Sequence, residues 1–153
     1  MKKILSIFAL VLCAITLPLG LVGCKKENGP EYVVGRTYTF SSVEYSSDFG
    51  NETLFTEMLK GTAFSFSKTV ITSYDTENNI TEKYFYKINN DYTISVYNDA
   101  SLNDTDLNNW DKSNYLKFSK DYTKLYFIRL TDEGVENNDP TKFEFKATFV
   151  VKK

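Results

Sequence analysis

The densest group of metal-binding side chains in this sequence lies in the polar segment YNDASLNDTDLNNWD. Asp104, Asp106 and Asn108 have the alternating spacing with which a calcium loop begins, since each would direct a side-chain oxygen to the ion. The same motif requires glycine next and glutamate at its twelfth position, where this chain has Asn109 and Tyr115. We therefore predict no metal site and treat these residues as a weak candidate only. A solvated loop whose Asn and Asp side chains form turns is the expected structure.

The choice of catalytic groups is limited by what the chain lacks. It contains no histidine and two cysteines, Cys13 and Cys24. Histidine general bases and the commonest transition-metal ligand are therefore excluded. Paired carboxylates could still hydrolyse sugars, but the 20 acidic residues fall mostly in loops or on polar faces of predicted strands. We predict that the protein is not an enzyme and requires no cofactor.

Cys24 follows a basic start, Met1-Lys2-Lys3, and an uncharged stretch from Ile4 to Val22. A positive region followed by an apolar one is the pattern of a secretion signal. Leu21-Val22-Gly23-Cys24 resembles the lipobox of bacterial lipoprotein signal peptides. The resemblance implies that Cys24 receives a diacylglycerol on its sulfur, that cleavage precedes it, and that residues 1–23 are a signal peptide.

Two or more acyl chains, such as palmitate, hold a protein stably on a membrane. We therefore expect a lipid-anchored protein on the extracytoplasmic face of the cell membrane, with residues 24–32 as lipidated terminus and tether and residues 33–153 as one folded domain. An uncleaved membrane helix and plain secretion are the alternatives. Cys13 would leave with the signal and Cys24 would carry lipid, so the domain would have no free thiol.

The charge of the cleaved chain bears on its partners. Loss of Lys2 and Lys3 leaves 16 basic residues against 20 acidic ones, a net charge of −4. Nucleic-acid binding therefore lacks its electrostatic basis. On the same ground anionic lipid is not expected to attract the domain, and the acyl chains would provide the membrane contact. The sequence does not identify a protein partner.

Aromatic and β-branched residues favour strands in the remaining chain. Eight strand-like runs can be marked, at residues 36–45, 63–67, 69–75, 82–88, 92–97, 115–119, 122–129 and 142–152. The last run is the clearest, because its apolar residues alternate with mostly polar ones. That period of two is expected of a strand with one face in a core.

One segment departs from this pattern. NETLFTEMLK, Asn51–Lys60, groups four apolar residues at helical spacing, namely Leu54, Phe55, Met58 and Leu59. Asn51 is placed to cap the start of a helix and Gly61 its end. The sequence therefore predicts a short amphipathic helix between the first and second strands.

Eight short antiparallel strands with tight connections predict an all-β fold, a small closed up-and-down barrel without exposed edges. A β-sandwich is the alternative. From Val34 to Lys152 the chain resembles the bacterial lipocalin-like domains in architecture. VVGRTYTF, Val33–Phe40, stands where that family has a Gly-x-Trp motif, with Gly35 present and Thr37 in the position of the tryptophan. The resemblance implies an eight-stranded barrel.

Five tyrosines could give a barrel cavity both apolar walls and hydroxyl groups: Tyr84, Tyr86, Tyr92, Tyr122 and Tyr126. Alternatively these side chains fill the interior, because an eight-stranded barrel holds at most one small ligand. Leu54, Phe55 and Met58 on the predicted helix could partly cover the cavity mouth. Trp110 could pack over one end of the barrel or contact a partner.

The favoured hypothesis is a membrane-anchored extracytoplasmic lipoprotein that binds a small apolar or amphipathic ligand without catalysis. One alternative is an envelope or surface interaction protein with a filled core that binds macromolecules. An enzyme using paired carboxylates is another. Whether the barrel interior is hollow or filled separates the first two hypotheses.

Overall fold

The computed structural model describes residues 28–75, 78–102 and 113–152. Cys24 and the predicted signal peptide lie outside the described residues. So do the candidate calcium ligands Asp104, Asp106 and Asn108, and Trp110. The predictions made for these residues are therefore not tested by the structure.

The described chain consists of one 3₁₀ helix, two α-helices and eight strands. The 3₁₀ helix is Pro30–Val33, and the α-helices are α1 (Glu52–Lys60) and α2 (Asp132–Asn137). The strands are β1 (Thr37–Tyr45), β2 (Thr62–Phe66), β3 (Val70–Asp75), β4 (Ile80–Ile88), β5 (Thr93–Tyr97), β6 (Asn114–Phe118), β7 (Lys124–Leu130) and β8 (Phe143–Val151). Every predicted strand is present, with bounds within two residues of those expected.

The eight strands form a closed antiparallel barrel. Each strand pairs with its neighbour in the sequence, and β1 also pairs with β8. The predicted up-and-down barrel is thereby confirmed and the β-sandwich is wrong. Because the sheet closes within Thr37–Val151, a chain of residues 25–153 contains the complete barrel.

The barrel has two unlike ends. The turns β2–β3, β4–β5 and β6–β7 lie at one end together with the 3₁₀ helix, and we call this the closed end. The opposite end, which we call the mouth, carries α1, α2 and the connections β3–β4 and β5–β6.

Aromatic side chains fill the closed half of the barrel. Tyr38 is completely buried, and its ring centroid lies 5.6 Å from that of Phe66 and 5.5 Å from that of Phe118. Val33 of the 3₁₀ helix is also completely buried. These residues form a dense floor, and burial of such large rings is a main source of stability.

Helix α1 forms where the sequence predicts it and packs one face on the barrel. The Phe55 ring contacts Phe145 at 4.6 Å between centroids, and Leu59 is buried. Asn51 does not provide the predicted side-chain cap, because its left-handed backbone (φ 61°) replaces the extended conformation in which capping residues direct their oxygen to the helix. Gly61 ends the helix in a right-handed conformation, and its N–H donates to the Leu59 carbonyl.

Helix α2 was not expected from the sequence, because it is short and contains Gly134. The Thr131 hydroxyl caps it by accepting from the Gly134 N–H at 3.1 Å. Across the described ranges, no helix is both long and apolar enough to cross a bilayer.

Candidate functional site

The mouth half of the barrel contains a cavity of about 610 Å³. Its apolar wall comes from five strands and consists of Phe64, Ile71, Val96, Leu116 and Phe127. Pockets for small molecules typically measure ~300–1,000 Å³ and are mainly apolar with a few placed polar groups. The volume and lining of this cavity match that description.

Polar side chains line the cavity near the strand ends. They are Ser73, Glu82, Asn98 and Asn114. Ser73 and Glu82 are paired neighbours on β3 and β4, while Asn114 begins β6. Among the described lining residues, Glu82 is the one charged side chain, and it is exposed. The cavity therefore combines an apolar interior with a polar, weakly anionic rim.

Two phenols add hydrogen-bonding groups to the wall. The Tyr84 hydroxyl donates to Glu82 Oε2 at 3.2 Å. Burial raises the pKa of Tyr84, and the Glu82 carboxylate raises it further. Burial also raises the pKa of Tyr115, with a smaller contribution from the Asp91 carboxylate. Because phenols ordinarily titrate near ~10, both hydroxyls are neutral donors at neutral pH.

Strands β5 and β6 both line the cavity, and their described residues pair only near the closed end. These strands pair at Thr93↔Lys117 and Ile94↔Leu116. Beyond Ile94, toward the mouth, no further residue pair joins the described parts of β5 and β6. Tyr115 also lines the cavity, although strand alternation directs its side chain to the face opposite that of Leu116. The cavity therefore lies beside an incompletely paired seam between two strands.

Only Tyr84 of the five tyrosines selected from the sequence lines the cavity. Tyr86 belongs to the aromatic floor, since its ring centroid lies 5.3 Å from that of Phe66. Its hydroxyl donates to the Ser67 carbonyl at 2.9 Å. The position of Tyr86, two residues nearer the closed end than Tyr84, explains the difference.

The other three tyrosines lie away from the cavity. Tyr92 and Tyr122 occupy turns at the closed end, with ring centroids 5.7 Å apart. Tyr126 points to the outer face of β7, because the inward positions of that strand are Leu125 and Phe127, and Lys146 Nζ lies 5.3 Å from its ring centroid. None of these three rings belongs to the described cavity lining.

The cavity residues that sequence reasoning missed carry a signal that alternation could have provided. Glu82 lies two residues before Tyr84, and Val96 lies two after the buried Ile94, so each shares an inward face with a residue already recognised. Tyr115 carries no such signal, since it lies next to Leu116 on the strand and alternation directs the two side chains to opposite faces.

The residues predicted to cover the cavity mouth differ in how they pack on the barrel. Phe55 contacts the barrel, whereas Leu54 and Met58 are 66% and 49% exposed. None of the three belongs to the described cavity lining. In the parts of the chain that the structure describes, no group of three or more His, Cys, Asp or Glu residues is arranged to hold a metal ion.

No protein-family model matches this chain, and comparison with curated proteins and with solved structures finds no match. Its function is therefore inferred from the cavity and from the sequence.

Proposed function

We propose that the protein is a lipoprotein, anchored through Cys24 to the extracytoplasmic face of the cell membrane, whose barrel binds a small apolar or amphipathic ligand without catalysis. The cavity of about 610 Å³ carries this proposal, because its volume and mainly apolar lining are those of a site for a small molecule. The lipobox-like sequence at residues 21–24 supports the anchor.

The lining predicts how a ligand lies in the cavity. Its apolar part would contact Phe64, Val96 and Leu116. Burial of apolar surface there would favour binding by ~25 cal/mol per Å². Its polar part would point to the mouth, within reach of Glu82 and the Tyr84 hydroxyl. Among the described lining residues there is a single carboxylate, whereas sugar hydrolysis requires two carboxylates facing each other.

The described chain begins at the end of the barrel opposite the mouth. Asn28 Nδ2 donates to the Asp121 carbonyl at 2.8 Å, in the β6–β7 turn at the closed end. Three residues lie between Cys24 and Asn28, and the four residue steps reach at most ~14 Å. A lipid on Cys24 would therefore hold the closed end beside the bilayer and leave the mouth facing outward.

Binding can be tested with residues 25–153 and the neutral fluorescent probe N-phenyl-1-naphthylamine. We expect the probe to bind and its fluorescence to rise. Val96→Trp, which fills the cavity, should weaken binding at least tenfold, equivalent to ~1.4 kcal/mol. Lys83→Trp adds the same ring on the exposed outer face of β4 and should leave binding unchanged.

Absence of probe binding, or equal loss in Val96→Trp and Lys83→Trp, would contradict the ligand-binding proposal. Urea unfolding of both variants verifies that each remains folded. Leu116→Phe fills the same space with a smaller change and serves if Val96→Trp does not fold.

The anchor is tested in a bacterial host by mass spectrometry of the mature N-terminal peptide. We expect a diacylglyceryl group on Cys24 and no residue before it. The Cys24→Ser chain should not be lipidated and should leave the membrane fraction on cleavage. An unmodified cysteine would contradict the lipoprotein assignment.

The exposed apolar residues of α1 favour a second function, binding of a macromolecular partner at the mouth. Leu54 and Met58 are exposed at the mouth, and Ile80 at the same end of the barrel is 51% exposed. Exposed apolar clusters commonly mark interaction sites. Loss of a captured partner in Leu54→Ser/Met58→Ser, with probe binding retained, would support this function.

A further inference from the structure

Charged residues are divided unequally between the two ends of the barrel. The closed end carries five exposed lysines in its turns and strand ends: Lys68, Lys87, Lys120, Lys124 and Lys152. The acidic residues described at this end are Glu31, Asp91 and Asp121. The mouth instead carries most of the described acidic residues, including those of α1 and α2. The fold therefore separates charges that are mixed along the sequence.

Ion pairing differs between the two ends. All ion pairs between described residues lie in the mouth half: Lys60–Glu57, Arg129–Glu144, Lys142–Glu133 and Lys146–Glu44. The five closed-end lysines form no ion pair with another described residue. In addition, Asp91 and Asp121 accept hydrogen bonds within their own turns. The closed end consequently presents ammonium groups directly to its surroundings.

Two of these lysines border a cleft at the closed end. The cleft measures about 660 Å³ and lies between the 3₁₀ helix and the end of β4, with Lys68, Lys87 and Glu31 in its lining. Val34, also in the lining, is 44% exposed. Two lysines that outnumber the single glutamate can accept a phosphate group as point charges, and the valine offers a small apolar contact beside it.

We propose that the closed end is a docking surface for an anionic phospholipid bilayer, with a headgroup phosphate between Lys68 and Lys87. The location at a membrane rests on the proposed function, and the charge complementarity is independent of it. Exposed lysines act on a bilayer within a Debye length of ~8–10 Å. The net charge of −4 does not prevent this contact, because the excess acid lies at the far end. The expectation that anionic lipid does not attract the domain assumed an even charge distribution.

Docking in this orientation has a consequence for ligand access. The lysine surface and the Asn28 contact with Asp121 lie at the same end, so lipid anchor and lysines would hold the barrel upright. The cavity would then open away from the membrane, toward ligands in the surrounding medium.

The test is sedimentation of residues 25–153 with lipid vesicles. We expect binding to vesicles containing phosphatidylglycerol, weakening as salt rises, and little binding to vesicles of phosphatidylcholine alone. Lys68→Gln/Lys87→Gln should weaken binding by about tenfold or more, because each lysine near an anionic surface contributes about fivefold to the affinity. Lys60→Gln/Lys83→Gln removes the same charge from the mouth half and should leave binding nearly unchanged.

Equal weakening by the two double variants would show dependence on net charge alone and would overturn the proposal. So would failure to prefer phosphatidylglycerol. Binding of the naphthylamine probe to the same protein preparation, measured without vesicles because the probe itself enters bilayers, provides a separate readout. Retained probe binding without lipid preference would refute the docking surface and leave the ligand-binding function standing. Lipid preference without probe binding would refute the ligand-binding function and leave the docking surface standing.

Discussion

The Tyr38 hydroxyl donates a hydrogen bond of 2.7 Å to the backbone carbonyl of Tyr122, joining β1 to the β6–β7 turn. Both residues are buried. Tyr122 has a left-handed backbone, with φ 56°, a conformation that costs a residue other than glycine about 1–2 kcal/mol. The ring of Tyr122 also contacts Phe118 at 5.6 Å between centroids. The bond therefore holds a strained turn against the floor of the cavity.

Replacing Tyr38 by phenylalanine should destabilise the barrel by about 1–2 kcal/mol, because the ring is kept but a buried carbonyl loses its donor. Urea unfolding measures the change. Tyr86→Phe is the matched control, since the Ser67 carbonyl that its hydroxyl contacts is exposed and water can replace the bond. Equal destabilisation by the two variants would contradict a special role for Tyr38.

Stability should fall in alkali, and Tyr38 should account for part of the fall. Burial holds the pKa of Tyr38 well above its ordinary value of 10.0, and the neighbouring Tyr32 adds to the shift. The unfolded chain ionises first, so this contribution is complete below about pH 10 and is lost as pH rises toward the folded pKa. In Tyr38→Phe, the free energy of unfolding should decline less steeply above pH 10.

The remaining decline in that variant has its own source. Burial also raises the pKa of Tyr86, Tyr115 and Tyr122. An unchanged slope in Tyr38→Phe would show that Tyr38 ionises as readily in the folded protein as in the unfolded chain.

Three turns use the same Asp-x-Thr arrangement, and they should make the fold sensitive to acid. In the turn of Asp121, Oδ1 accepts from the Thr123 N–H at 3.2 Å and from its hydroxyl at 2.9 Å. The Ser119 hydroxyl is the largest cause of the lowered pKa of Asp121, followed by Thr123. Hydrogen bonds from Thr93 and Thr141 likewise lower the pKa of Asp91 and Asp139.

Because these carboxylates ionise more readily when folded, their contribution is present above the ordinary pKa of 3.8 and is lost as pH falls through the folded values. Asp121→Ala should lower the melting temperature at neutral pH and make stability less dependent on pH below 4. Thermal unfolding at several pH values measures both effects. Asp48→Ala, outside this motif, is the control, and an identical pH profile would contradict the role of the turn.

The strands could be predicted because their cause is local. Phe145, Ala147 and Phe149 alternate with mostly polar residues along β8, and all three are buried. Helix α1 could likewise be predicted, from the helical spacing of Phe55 and Leu59. Patterns of this kind depend on neighbours in the sequence, and tertiary structure preserved them.

The cavity could not be predicted, because it depends on where distant strands separate. Nothing in the sequence marks Ile94↔Leu116 as the last pair of β5 and β6. Tyr92 and Tyr122 lie in turns, with φ values of 70° and 56°, whereas the sequence predicts them at the starts of strands because tyrosine is a typical strand residue. The turn signal was the Asp-x-Thr motif around each of them.

Gly134 should not tolerate a side chain. A Cβ at this position would meet the Lys142 carbonyl oxygen, and the Asp139 carbonyl oxygen would lie 3.2 Å away. Neither backbone atom can move without disturbing the β7–β8 connection. Gly134→Ala should therefore destabilise the fold by roughly 1–3 kcal/mol, measured by urea unfolding. A Cβ at Gly50 would meet nothing within 4 Å, so Gly50→Ala should be nearly neutral, and equal losses would contradict the clash.

Glu82 should make the cavity prefer a cationic headgroup. It is the single charged residue in the described lining, and the Tyr84 hydroxyl bound to its carboxylate fixes its position near the mouth. Decylamine, decanol and decanoate carry the same chain and differ in head charge, so displacement of the naphthylamine probe isolates the effect of the head. We expect affinity in the order amine, alcohol, carboxylate. Because Glu82 is exposed, the amine should gain no more than about fivefold, or ~1 kcal/mol.

The variant Glu82→Gln should reduce the difference between the three compounds while retaining the affinity for decanol. Glu136→Gln removes the same charge from an exposed position on α2 and should preserve the order. If Glu82→Gln keeps the preference for decylamine, the general acidity of the mouth, rather than this carboxylate, selects the headgroup. If all three compounds bind equally to the unaltered protein, the rim has no electrostatic role and the apolar wall alone determines affinity.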